Sequence, residues 1–224
     1  TNITDTISPR SKTIDEVVIT GNSNPKASIK TSTSISTLKS ADIINSAPRT
    51  TAEIFRTIPG MRAESSGGEG NSNITVRGVP VSAGGSRYLL IQEDGLPVMQ
   101  FGDIAFGTQD QFTRFDSFVS RVEALRGGSA SVFASNSPAG IINFITKTGE
   151  KEEGSITQQV GLNYKNFRTD IDYGTSLGKD FYIGVGGFYR GGDGPRKTGY
   201  TSNNGGQFRL SLLKKFDKGS IRIY

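Results

Sequence analysis

With neither Cys nor His, this chain of 224 residues has no thiolate and no imidazole to work with. Disulfides, thiolate metal sites and the Ser-His, Cys-His and His-metal constellations are excluded at once. Carboxylates, Lys, Tyr and Ser remain. The most conspicuous acid pair is Glu93-Asp94. Adjacent residues on a strand point to opposite faces, so this pair is poorly placed for joint acid–base work. An enzyme is not expected, and neither is a cofactor or a resident metal.

The formal net charge is +5. Nucleic-acid binding would need Lys and Arg clustered with aromatics, yet the basic residues are spread from Arg10 to Arg222. No nucleic-acid partner is expected. No apolar run approaches the roughly 20 residues of a membrane helix. A β-barrel span would leave no such peak, because its apolar residues alternate with polar ones. The chain begins with Thr1, and removal of a leader or upstream segment is expected.

Stepping along the chain, residues 1–13 are polar and read as a disordered lead-in, followed by a β-prone island at 14–21. A compact mixed region begins near Ser40, which is expected to cap a short helix over 41–46 that ends before Pro48. Thr50 or Thr51 caps a second helix whose apolar face is Ile54, Phe55 and Ile58, with Pro59-Gly60 as its stop. Residues 64–72 and 80–87 read as Gly-rich loops around a strand at 73–77. A strand at 88–92 turns at Asp94-Gly95, a hairpin pair, and returns over 96–99. A longer loop follows through 101–106, then a stretch of mixed helix and strand character at 115–125, then a last strand at 141–146.

Beyond Thr148 the pattern changes to period-two alternation. Ile156, Val160, Leu162 and Tyr164 share one face. Phe167, Thr169, Ile171, Tyr173, Thr175 and Leu177 stand opposite Arg168, Asp170, Asp172, Gly174 and Ser176. Phe181, Ile183, Val185 and Tyr189 stand opposite Tyr182, Gly184, Gly186 and Arg190. Phe208, Leu210 and Leu212 stand opposite Gln207, Arg209 and Ser211, and a fifth segment starts with Ile221 and Ile223. Tight turns are expected at Asn166 and Lys179-Asp180, and a long polar loop over 191–205. A soluble sheet with one wet face would alternate similarly. Charges in mid-strand on the polar faces, with aromatics near the strand ends of the apolar faces, favour a membrane barrel.

Arg121-Val122-Glu123-Ala124-Leu125-Arg126-Gly127-Gly128, followed by a small-residue turn and Gly140-Ile141-Ile142-Asn143-Phe144-Ile145-Thr146-Lys147, resembles the hallmark of TonB-dependent outer-membrane receptor plugs. Gly128 stands where that family often has Pro, and Phe133-Ala134 where Tyr-Gly is common. Thr75-Val76-Arg77-Gly78 resembles the family's strand end, and 54–61 its helix-and-stop. The resemblance implies an α+β plug domain followed by antiparallel transmembrane β-barrel strands. It places a flexible N-terminal segment at 1–37 with a TonB box at 14–21, the plug at 38–149, and at 150–224 the first five or so strands of a barrel of about 22. So few strands cannot close their edges in lipid, so more of the barrel is expected elsewhere.

The resemblance also implies roles. Asp15, Glu16, Val17, Val18, Ile19 and Thr20 would pair as a strand with TonB, the inner-membrane energy transducer. Arg77 and Arg126 would pair with barrel glutamates beyond Tyr224 to hold the plug, with Glu123 orienting one of them. Substrate contacts would come from outward loops through Glu64, Ser86, Arg87, Gln100, Phe101, Asp103 and Phe106. The implied activity is active import of a scarce nutrient (ferric siderophore, glycan or similar) across the outer membrane of a Gram-negative bacterium, with the plug facing the periplasm inside the barrel. The alternative is a docking component of a surface complex, with a surface lipoprotein as a further partner.

Overall fold

A computed structural model of the chain describes residues 17–18, 26–27, 34–65, 70–80, 88–99, 108–127, 130, 134–135, 137–163, 165–194 and 198–224. Two-residue strands β1 (Val17–Val18) and β2 (Lys26–Ala27) pair antiparallel with each other. The next unit runs β3 (Ile35–Lys39), α1 (Ser40–Asn45), α2 (Thr51–Arg56), β4 (Met61–Ser65), β5 (Ser72–Val76), β6 (Leu89–Glu93), β7 (Leu96–Pro97), β8 (Val119–Arg126) and β9 (Gly140–Thr146). Five of these strands form one sheet in the order β3-β8-β9-β6-β7, in which β6 and β9 run parallel. β4 and β5 form a separate hairpin.

The core of this unit lies where α2 meets the sheet. Ile54, Phe55 and Ile58, the expected apolar face, are buried with Leu89, Ile91, Val122, Ile142 and Phe144. The Thr50 side chain accepts from Glu53 N, so the second helix starts with the expected cap. The first does not. Ser40 is the first helical residue, and Lys39 in the cap position makes no side-chain cap bond. The stretch from Glu64, read as loop, begins inside β4, because Met61, Ala63 and Ser65 stand opposite Val76, Ile74 and Ser72. The mixed stretch at 115–125 resolves into β8, preceded by a 3-10 turn at Gln109–Gln111 that the sequence reading did not anticipate.

The second sheet is a five-stranded antiparallel meander of β10 (Glu153–Val160), β11 (Asn166–Gly178), β12 (Phe181–Gly192), β13 (Gly205–Phe216) and β14 (Gly219–Ile223). Asn166 is not a turn residue. It opens β11 opposite Gly192. β10 ends at Val160, so Leu162 falls in the turn and is fully exposed; Tyr164 lies outside the described residues. Lys179 and Asp180 both take positive φ, the type I′ geometry of a two-residue hairpin.

The faces of this sheet are inverted relative to a soluble protein. Ile156, Phe167, Ile171, Phe208 and Leu210 are exposed, whereas Asp170, Asp172, Arg209 and Ser211 are buried against the first unit. A contiguous apolar face of this kind is unstable in water and stable in lipid. Among the described residues no helix is long and apolar enough to cross a membrane.

Candidate functional site

The candidate site is the interface between the two sheets. The β6–β7 turn creates its first part. Asp94 (φ 49°) and Gly95 (φ 85°) reverse the chain within two residues, which sets Glu93 and Asp94 at the end of the sheet facing β13 and β14. Gln109 anchors the adjoining turn to β6 by accepting from Ile91 N at 2.5 Å and donating to Leu89 O at 2.8 Å. This places Thr113 and Asp116 beside Glu93.

Arg209 on β13 enters this acidic corner. Its Nε lies 2.7 Å from Asp116 Oδ2, its Nη1 bonds Glu93, and its Nη2 reaches Arg114 O at 3.1 Å. Gln207 donates to the same Asp116 oxygen at 2.7 Å, Phe118 N donates to the other at 2.9 Å, and the Tyr224 hydroxyl donates to Glu93. Arg209, Asp116 and Ser117 are all buried, so the pairing operates away from water. Burial pushes the Asp116 carboxyl up, against the opposing pull of Arg209 and Gln207. Burial also acts to raise Glu93, but the Arg209 charge and bonds from Thr113, Tyr224 and Arg209 outweigh it and hold the carboxyl below its ordinary value.

Two further pairs continue the interface. Arg222 on β14 lies 2.9 Å from Asp94 and donates to Lys147 O at 3.0 Å. Lys147, just past β9, lies 2.6 Å from Asp172 on β11. Between these charges the contact is steric. Phe118, fully buried, lies over Gly184 and Gly186 of β12. A Cβ at Gly186 would stand 2.6 Å from Phe118 Cβ, and one at Gly184 2.9 Å from the ring. Only bare backbone admits the ring at that depth.

Glu93, at the end of β6, and Asp94, in the turn, thus serve two different cations of the second sheet, Arg209 and Arg222. The wall charges themselves were visible in the sequence as mid-strand interruptions of the alternation. Their partners were not, because Arg209 and Asp116 are 93 residues apart.

Arg77 and Arg126 come together elsewhere. Arg77 takes a left-handed φ of 49° after β5 and donates to Ser34 Oγ at 2.8 Å. Arg126 donates to Ser36 Oγ at 2.8 Å and to Pro59 O. The Arg77 Cγ and the Arg126 Nη1 both pass within 4 Å of the Cβ position of Gly60. Burial and the neighbouring Arg77 charge lower the Arg126 pKa. Among the described residues no carboxylate pairs with either. Glu123 is buried and pairs with Arg121 at 2.8 Å. Glu64 is exposed on β4 and pairs with Arg62 at 2.6 Å. Val17 and Val18 form β1; Asp15, Glu16, Ile19 and Thr20 lie outside the described residues, as do Ser86, Arg87, Gln100, Phe101, Asp103 and Phe106.

Comparison with known proteins agrees with this architecture. The family model described as "TonB-dependent Receptor Plug Domain" matches residues 27–141. The vitamin B12 transporter BtuB of Vibrio cholerae is 28% identical over 174 residues, 76% of this chain and 27% of that protein. BtuB of Vibrio vulnificus is 27% identical over 154 residues, 65% of this chain and 23% of that protein. The chain therefore spans about a quarter of the length of the curated relatives it matches. Among solved structures, the siderophore receptor PirA from Acinetobacter baumannii superposes with a TM-score of 0.62 at 19% identity, over 85% of this chain and 32% of that one. The ferric yersiniabactin uptake receptor FyuA from Yersinia pestis gives 0.57 at 20% identity, over 81% and 28%.

Proposed function

The chain belongs to the TonB-dependent receptor plug family, and from that membership we propose that it supplies the gate and first wall strands of an outer-membrane port for active nutrient import. The observation that carries this reading is the inverted second sheet, apolar outward and charged inward, with the plug clamped to its charged face. A wall of this kind separates lipid from a polar lumen, and the plug occupies the lumen.

The division into an N-terminal segment at 1–37, a plug at 38–149 and a wall at 150–224 is part of this reading, as is a plug that faces the periplasm. Substrate classes named by relatives, cobalamin and ferric siderophores, are the first to test, with glycans next. Glu64, Ser86, Arg87, Gln100, Phe101, Asp103 and Phe106 are the proposed substrate contacts. Arg77 and Arg126, two cations converging without a carboxylate among the described residues, are proposed to receive wall acids from beyond Tyr224. Planar guanidinium forks suit such acids.

Energy would enter through residues 15–20. A partner strand from TonB would add to β1 or replace β2, whose pairing with β1 spans only two residues. The test is uptake of a substrate panel in cells carrying or lacking the full-length protein, with and without TonB. Uptake that needs both is the expected result. Uptake unaffected by loss of either would overturn the reading. Val18→Pro should abolish uptake while substrate binding persists, because proline removes the N–H that a pairing strand needs.

A further inference from the structure

Two adjacent lysines near the end of β13 meet opposite surroundings. Lys215 belongs to the inward set with Arg209, Ser211 and Leu213, and its ammonium pairs with Glu150, just ahead of β10. The Tyr182 ring lies 5.8 Å from that ammonium. Lys214 belongs to the outward set with Phe208, Leu210 and Leu212. Directly across from it stand Phe181 on β12 and Ile221 on β14, both exposed. Among the described strand positions of that outward face, Lys214 is the only charged residue.

No acid answers this cation among the described residues. The Lys214 Nζ bonds the carbonyl of Lys179 in the β11–β12 turn. It lies 4.6 Å from the Phe181 ring centre and 5.6 Å from that of Phe216. The stem therefore follows the apolar face while the charge turns toward the strand ends, the posture of a lysine at a lipid–water boundary. An ammonium has three N–H donors, and the carbonyl takes one of them. Two more cations, Lys179 and Lys218, stand in the adjoining turns at the same end of the sheet. The acids of those turns, Asp180 and Asp217, form no ion pair with Lys214. What remains is a cation between two aromatic rings, at the rim of an apolar face, with donors to spare.

We propose that Lys214, bracketed by Phe181 and Phe216, holds the phosphate of an anionic glycerophospholipid in the leaflet that meets the turn end of the wall. Lys179 and Lys218 draw the headgroup in, and the acyl chains lie along Leu212, Leu210 and Ile183. This rests on the import reading, in which the outward face meets lipid. Charge selects the occupant: a lone cation on an apolar face is complemented by a molecule that is anionic at one end and apolar along the rest. The bound lipid would fix the height of the wall in the bilayer beside the Glu150–Lys215 pair, where the connection from plug to β10 is tied down.

The full-length protein in detergent, titrated with phosphatidylglycerol and read by native mass spectrometry, tests this. Wild type should retain the lipid, and added salt should weaken the binding. Lys214→Ala should lower the apparent affinity about fivefold, the worth of one lysine beside anionic lipid, and flatten the salt dependence. Lys214→Arg should bind as wild type does, which separates loss of charge from damage to the fold. Lys151→Ala removes an exposed cation ahead of β10 and should change nothing. Unchanged affinity in Lys214→Ala, or loss of binding in Lys214→Arg, would overturn the proposal. So would equal retention of diacylglycerol, which lacks the phosphate, or displacement of the lipid by inorganic phosphate at constant ionic strength. Leu210→Arg separates this proposal from the reading beneath it. If that variant folds into vesicles unharmed, the outward face is no lipid face and the import reading falls; if it is harmed while Lys214→Ala keeps the lipid, the headgroup site alone falls.

Discussion

Two five-stranded sheets face one another in this molecule, and they bury opposite kinds of side chain. The plug sheet turns Ile91, Val122, Ile142 and Phe144 inward against α2, as any soluble domain does. The wall sheet turns Ile171, Phe208 and Leu210 outward and buries Asp172, Arg209 and Ser211. Period-two alternation encodes the wall sheet, whereas β6 and β9 of the plug sheet are near-continuous buried runs. Which face is solvated depends on the medium and on the partner, and neither is contained in a single strand. The contrast shows that alternation reports a two-faced surface, while the placement of charges within it reports what lies on each side.

The strongest way to break the comparison is to remove a buried charge from the wall. Arg209→Ala leaves Asp116 and Glu93 facing each other without their shared cation, and a loss of about 3–5 kcal/mol in plug–wall stability is expected. Thermal unfolding in detergent measures it; a loss under about 1 kcal/mol would show an interface pair that behaves as an exposed one. The same cluster can be titrated. Glu93 is held below its ordinary value, so its contribution is full above the unfolded pKa and is lost as pH falls through the folded one. Unfolding followed across acid pH should show this loss in wild type and a flatter curve in Glu93→Gln.

Next in size is a charge on the opposite face. Leu210→Arg is expected to cost about 2–4 kcal/mol if the residue sits near the bilayer midplane, read as reduced folding into lipid vesicles. A neutral result would make that face aqueous and the wall an ordinary sheet. Smaller again is Gly186→Ala. Its Cβ meets Phe118, and the overpacking is expected to cost about 1–3 kcal/mol, with rescue by the compensating Phe118→Leu. Least is Thr50→Ala, which removes the α2 cap for about 1 kcal/mol and sharpens the contrast because it acts on the plug alone.

Much of this fold was legible where the deciding interaction is local. The Asp94-Gly95 turn, the Thr50 cap and the outward stripe from Ile156 to Ile223 follow from residues a few positions apart. What escaped depends on distant partners. β4 looks like a loop because Arg62, Glu64 and Ser65 are polar, and it becomes a strand only by pairing with β5. Asn166, read as a turn residue, is carried into β11 by its pairing with Gly192. At the candidate site, Arg77 and Arg126 were singled out by motif. The clamp of Arg209, Arg222 and Lys147 was not, since each cation finds its acid across a separation of 25 residues or more.

The polar inner surface of β11–β14 has a consequence for how the protein fails. A soluble domain stripped of its packing partner exposes apolar surface and aggregates. Asp170, Asp172, Arg209 and Ser211, stripped of the plug, would simply hydrate. A closed barrel walled in this way would therefore stay folded around water once unplugged. Lesions in the clamp should betray themselves as a permeability defect, with osmotic leakage and sensitivity to large toxic solutes, before they betray themselves as missing protein.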